Sequence, residues 1–149
     1  QIDQSGKIEQ TNKTTVIAFS NSKHGSVKLA ARDKRYLQNI YRRASKPKSY
    51  ILQVFSALLY LLFEKCKLEK IMVIIDKEYM GNETLIKSYL IQLAGKRGKI
   101  KLSPHDIRFG LVGKGSSAHG VASKAFKVNR ADFSVSKEEI LSLILLYEK

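Results

Sequence analysis

Tryptophan is absent from this chain, cysteine occurs once, proline twice, and only 13 of the 149 residues are acidic. Each shortage excludes something. A lone cysteine, Cys66, rules out an internal disulfide and a thiolate metal cage. It is expected on a helix as a small apolar residue, and a reducing, cytoplasmic (intracellular) setting is expected with it. No apolar run reaches the roughly 18 residues that span a bilayer. The longest, residues 50–63, is interrupted by Gln53 and Ser56. The opening Gln-Ile-Asp-Gln-Ser-Gly has no signal-peptide pattern and no starting Met, so the first strand is expected to be short or truncated.

Against the 13 acids stand 27 Lys and Arg, a net charge of +14. Uncompensated charge of one sign repels itself in the folded state, so a polyanionic partner is expected. The cations are not confined to one amphipathic helix, which argues against a membrane surface and for RNA or DNA. Lys34, Arg35, Arg42, Arg43, Lys46 and Lys48 form one candidate nucleic-acid-binding group. Lys96, Arg97, Lys99 and Lys101 form a second, and Lys114 stands alone in a glycine-rich loop. Tyr36, Tyr41 and Tyr50 punctuate the first group, either to stack on bases or to pack in the core. Hydrophobic residues at 44% and charged residues at 27% are ordinary globular values, consistent with a single domain over residues 1–149.

The periodicity predicts strands first. Residues 14–20 are β-branched and aromatic, residues 21–25 have turn chemistry, and residues 26–31 alternate. Gln1-Ile2-Asp3 would be the end of an earlier strand, turned by Ser5-Gly6. Leu37, Ile40, Tyr41 and Ala44 mark a helix face, and residues 47–67 predict a second helix, apolar on most sides and hence buried. Residues 70–76 read as a central strand ending in Asp76. A helix follows from Asn82, then a strand over 106–113, a short helix from Ser116 or Ser117, and a last helix opened by the capping box Ser136-Lys137-Glu138-Glu139. Short turns imply an antiparallel three-strand meander; helical crossovers imply parallel additions. The expected fold is α/β, a mixed five-stranded sheet with helices on both faces.

In so basic a chain the acids are informative. Asp76 closes the most buried-looking strand, where open α/β sheets bind ligands, although a turn or cap role is open to it. Asp3 lies in the first strand beside a Ser-Gly turn. Asp33 falls in the first turn of the first long helix, at the same edge if the third strand runs parallel to the first; it also suits the helix dipole there. His119 follows the last strand and is placed at that edge too. Glu64 and Glu69 belong at the opposite edge, and Glu78 is held in reserve. Gly113-Lys114-Gly115-Ser116-Ser117 lacks the spacing of a nucleotide phosphate loop.

The element order, with Ile2-Asp3-Gln4-Ser5-Gly6 in the first strand and Ile74-Ile75-Asp76 closing the fourth, resembles the ribonuclease H-like superfamily. Ala118-His119-Gly120-Val121-Ala122 resembles the Ala-His-x-x-Ala of a Piwi-type Asp-Asp-His triad. The resemblance implies a metal-dependent nuclease, with Mg²⁺ or Mn²⁺ held by Asp3, Asp76 and His119 and with Asp33 as a fourth catalytic residue. The alternative is a non-catalytic nucleic-acid-binding module or a structural subunit of a nucleoprotein complex. A shared cation requires the Asp3 and Asp76 carboxylates within about 8 Å of each other, since oxygen–metal bonds are about 2.0–2.6 Å long.

Overall fold

The computed structural model describes every residue except 22, 69–71, 113–114 and 149. Eleven main elements follow in order: β1 (Ile2–Ser5), β2 (Thr15–Ser20), β3 (His24–Leu29), α1 (Ala31–Arg43), α2 (Tyr50–Lys65), β4 (Val73–Asp76), α3 (Glu83–Arg97), β5 (Ile107–Gly110), α4 (Ser117–Val128), β6 (Phe133–Val135) and α5 (Lys137–Ile144).

The strands form one sheet in the order β5-β4-β1-β2-β3-β6. β1, β2 and β3 pair antiparallel, as short turns require, while β4 adds to β1 and β5 to β4 in parallel. The expected five strands are corrected to six. β6 pairs in parallel with β3 through Val27, Lys28 and Leu29. Its three residues are too short to show an alternation, which is why the sequence between the last two helices reads as a connection.

Side-chain alternation divides the sheet into two faces. Ile2, Ile17, Phe19, Val27, Leu29, Val73 and Ile75 join the main core with α2, α3 and α5. α2 supplies the middle of that core, with Leu58, Leu59, Leu62 and Phe63 fully buried. This is what a helix apolar all round predicts. Val16 and Ala18 are buried on the other face, against α4. α4 presents Ala118, Ala122 and Ala125, spaced i, i+4, i+7 and all buried. Alanines on that stripe let the helix approach the strands closely. Helices therefore cover both faces, and α4 packs chiefly on β1, β2 and β3. On the α4 side of β4 and β5, Met72, Ile74 and Leu111 remain exposed.

One turn fixes the chain at the end of β1. Gly6 has φ of +75°, and a Cβ there would fall 2.1 Å from the Thr14 carbonyl oxygen and 2.9 Å from Phe126 of α4, so only glycine fits. Cys66 follows the last turn of α2 and lies half-buried beside Gly25. Burial pushes its thiol up to about 11, with Asp132 adding to the effect, so it is chemically quiet. Among the described residues no helix is long and apolar enough to cross a membrane.

Candidate metal centre

β1 alternates, so Ile2 enters the core and Asp3 faces the α4 side. The parallel pairing of Ile2 with Ile75 then sets Asp3 and Asp76 side by side on adjacent strands. Asp3 is 4% exposed, and a carboxylate so buried needs partners. Its Oδ1 accepts the Gln4 N–H at 2.8 Å, and its Oδ2 lies 2.8 Å from His119 Nδ1. A carboxylate only accepts, so Nδ1 carries the proton in this pair and Nε2 is the free ring nitrogen. Asp76 ends β4 opposite Gly110, and its Oδ1 accepts the Val112 N–H at 2.8 Å.

Glu78 completes the group. Its N–H donates to the Asp76 carbonyl, which turns the chain back toward β1. Ligand oxygens of Asp3, Asp76 and Glu78 all lie within 4.8 Å of one another. Burial raises the Glu78 pKa above the ordinary carboxylate range; Asp76, Asp3 and Glu9 add to this, and Lys7 opposes it. Like charges about 4 Å apart repel by roughly 4 kcal/mol at an effective dielectric near 20, so the cluster favours a proton or a cation among its oxygens. Oxygen–metal bonds of about 2.0–2.6 Å allow ligand oxygens to stand up to about 5 Å apart, which the cluster satisfies.

The crevice beside these acids is also lined by Gln4 and Phe55. Gln4 is buried, and its amide Nε2 donates to the Gly6 carbonyl and the Tyr79 hydroxyl. That fixes the amide orientation and leaves Oε1 with no donor. That unsatisfied acceptor, counted among the described residues, lies on the core face of β1, across the sheet from the Asp3 carboxylate, so it does not bear on a cation there. Tyr79 links the surrounding loops: its hydroxyl accepts the Ile8 N–H and donates to Glu9.

The structure places the other expected site residues outside this group. His119 is outside the three-carboxylate group and instead hydrogen-bonds Asp3, while Glu78, the reserve, occupies the third position. Asp33 is outside it as well. It sits in the first turn of α1, 4.0 Å from Arg32, where it complements the helix dipole. α1 follows β3, two strands from β1 in the sheet order and so about 10 Å away sideways.

The basic groups divide in the same way. Lys34 is fully buried, and its Nζ donates to the carbonyls of Lys7 and Gln10 and to Thr15 Oγ1. Burial lowers its pKa to about 8, with Glu9 opposing. It therefore staples the β1–β2 loop and does not face nucleic acid. Arg35 is exposed but ties the same loop through the Thr11 carbonyl. Arg42, Arg43, Lys46 and Lys48 are exposed around the end of α1 and the turn beyond it. Arg97 grips Glu64 through two hydrogen bonds, Lys99 stands 3.7 Å from the same carboxylate, and Lys96 binds the Leu146 carbonyl. These three lie where α3 ends, at the sheet edge opposite the acids. Lys114 lies outside the described residues. Tyr41 and Tyr50 are buried and hydrogen-bonded to Gln53 and the Ile8 carbonyl, while Tyr36 is exposed beneath the Lys137 ammonium.

Gln4 and Tyr79 were not singled out by sequence. Gln4 lies in a strand whose other residues after Ile2 are also polar, so it carries no signal of its own, and Tyr79 carries none beyond adjacency to Glu78. No family model matches this chain, and no curated protein or solved structure does either, so its functional assignment rests on the side chains themselves.

Proposed function

We propose that this chain is a divalent-cation-dependent nuclease of ribonuclease H-like architecture, with Asp3, Asp76 and Glu78 as the cation ligands. One observation carries the reading: in a chain of net charge +14, three carboxylates converge within 4.8 Å at the end of adjacent parallel strands. An all-oxygen donor set suits Mg²⁺ or Mn²⁺. Such a cation supplies Lewis acidity toward a phosphoryl oxygen and a nucleophile active at neutral pH. The strand pairings, an antiparallel meander extended in parallel on the β1 side, support the architecture.

The chain's own residues have distinct tasks. Val112 and Gln4 N–H groups orient the Asp76 and Asp3 carboxylates. Asp3 holds the His119 ring in one tautomer, leaving Nε2 to take or give a proton at a substrate oxygen. The exposed cations at the end of α1 attract the phosphate backbone without reading sequence.

Labelled RNA and DNA incubated with the protein and Mn²⁺ or Mg²⁺ test the reading. Cation-dependent cleavage that Asp76→Ala abolishes is the expected result. Salt-sensitive binding with no cleavage under any of these cations would overturn it and leave the non-catalytic binding module.

A further inference from the structure

We infer that a single nucleic-acid strand is held along the side of α4 that faces away from Asp3, in a groove between that helix and the β3–β6 edge. This deepens the nuclease reading and rests on the nucleic-acid part of it, but not on cleavage. His119 projects from α4 toward β1, whereas Ser117, Val121, Lys124 and Val128 line the groove on the helix's other side. Those positions recur at i, i+4, i+7 and i+11, one continuous stripe about 16 Å long at 1.5 Å per residue. The cleft encloses about 590 Å³. That volume accommodates nucleotide-sized groups.

Chemistry argues for a phosphodiester backbone. Lys124 and Arg130 stand exposed at the groove, and their side chains have no hydrogen-bond or ion-pair partner among the described residues. The floor is polar. Ser26 donates its N–H and Oγ to Asp132 Oδ2, at 2.9 and 3.4 Å, and its Oγ accepts the Asp132 N–H. The one acid in the groove is thereby engaged in joining β3 to the start of β6. Val128, 56% exposed and set between the two cations in the chain, and Val121, one turn before Lys124, offer apolar contact to a base face. A positively charged groove that tracks the backbone holds single strands without sequence preference.

The experiment measures affinity of the full chain for a labelled 12-nucleotide RNA and its DNA counterpart in EDTA, where no cation-dependent cleavage occurs. Lys124→Glu and Arg130→Glu are each compared with Lys87→Glu, which makes the same charge reversal on α3. The groove variants are expected to bind about tenfold more weakly, and each should flatten the dependence of log K on log salt by about one unit. Lys87→Glu should change affinity less than about threefold. Equal effects from all three variants would show that only net charge matters and would overturn the inference, as would no effect from any. Groove variants that bind normally while Mn²⁺-dependent cleavage persists would sink the groove alone. Weakened binding in a protein that never cleaves would sink the hydrolase alone.

Discussion

Two carboxylate sites at opposite edges of the sheet are treated in opposite ways. Glu64, between the ends of α2 and α3, is gripped by Arg97 at 2.7 Å and approached by Lys99 at 3.7 Å. Burial works against its charge, yet Arg97, Tyr60 and Lys99 together hold its pKa below normal. Glu78 is also partly buried, but there burial, with Asp76, Asp3 and Glu9 adding to it, outweighs the opposing Lys7, and its pKa is raised. With 27 basic side chains in the sequence, no described Lys or Arg lies within 4.0 Å of Asp3, Asp76 or Glu78. Where an acid serves the fold, the fold provides its cation. At the other edge Lys7 only partly offsets the clustered carboxylates, and that excess of negative charge is the physical basis of the proposed metal centre.

Asp76→Asn probes the difference hardest. It should lower cation-dependent cleavage by about 10³-fold, since the cation's contribution is several kcal/mol, while thermal stability in EDTA stays level or rises as repulsion is relieved. His119→Ala should retain cation binding and lose about 10²-fold in kcat, because it removes a proton carrier rather than a ligand. If cation affinity falls with kcat, the imidazole is a ligand after all.

Lys34→Met leaves two carbonyls and a hydroxyl without their donor. A stability loss of about 2–4 kcal/mol by denaturant titration is expected, with nucleic-acid affinity of the folded fraction unchanged. The pH dependence has a definite sign. Folding lowers the Lys34 pKa from 10.5 to about 8, so between those values the unfolded chain binds more protons. Wild-type stability relative to Lys34→Met should therefore rise from pH 8 to 10.5, the ammonium being penalised below that window. The smallest effect belongs to Glu64→Gln, about 1–3 kcal/mol from a half-paired Arg97, with cleavage intact.

Much of this was legible in the sequence because it depends on local pattern. The buried α2 follows from apolar residues on every side, the α5 start from its capping box, and the Asp76 position from a β-branched run that stops at an acid. What was not legible depends on contacts across the fold. Lys34 looks like a member of a basic cluster until the β1–β2 loop brings three oxygens to its ammonium. Asp33 and Asp3 share an edge by strand direction, but strand direction does not state how many strands separate them. Ala118 and Ala122 flank His119 for packing reasons, since both are fully buried against the sheet. β6 exists only through its pairing with β3.

Manganese titration followed by its paramagnetic resonance measures the central claim directly, because bound Mn²⁺ loses the sharp signal of the free ion. Wild-type protein in EDTA-free buffer should bind the ion at the Asp3–Asp76–Glu78 cluster, with affinity that rises with pH as Glu78 gives up its proton, and Asp76→Asn should lose that binding. Identical free-ion signals with wild type and Asp76→Asn would contradict the assignment.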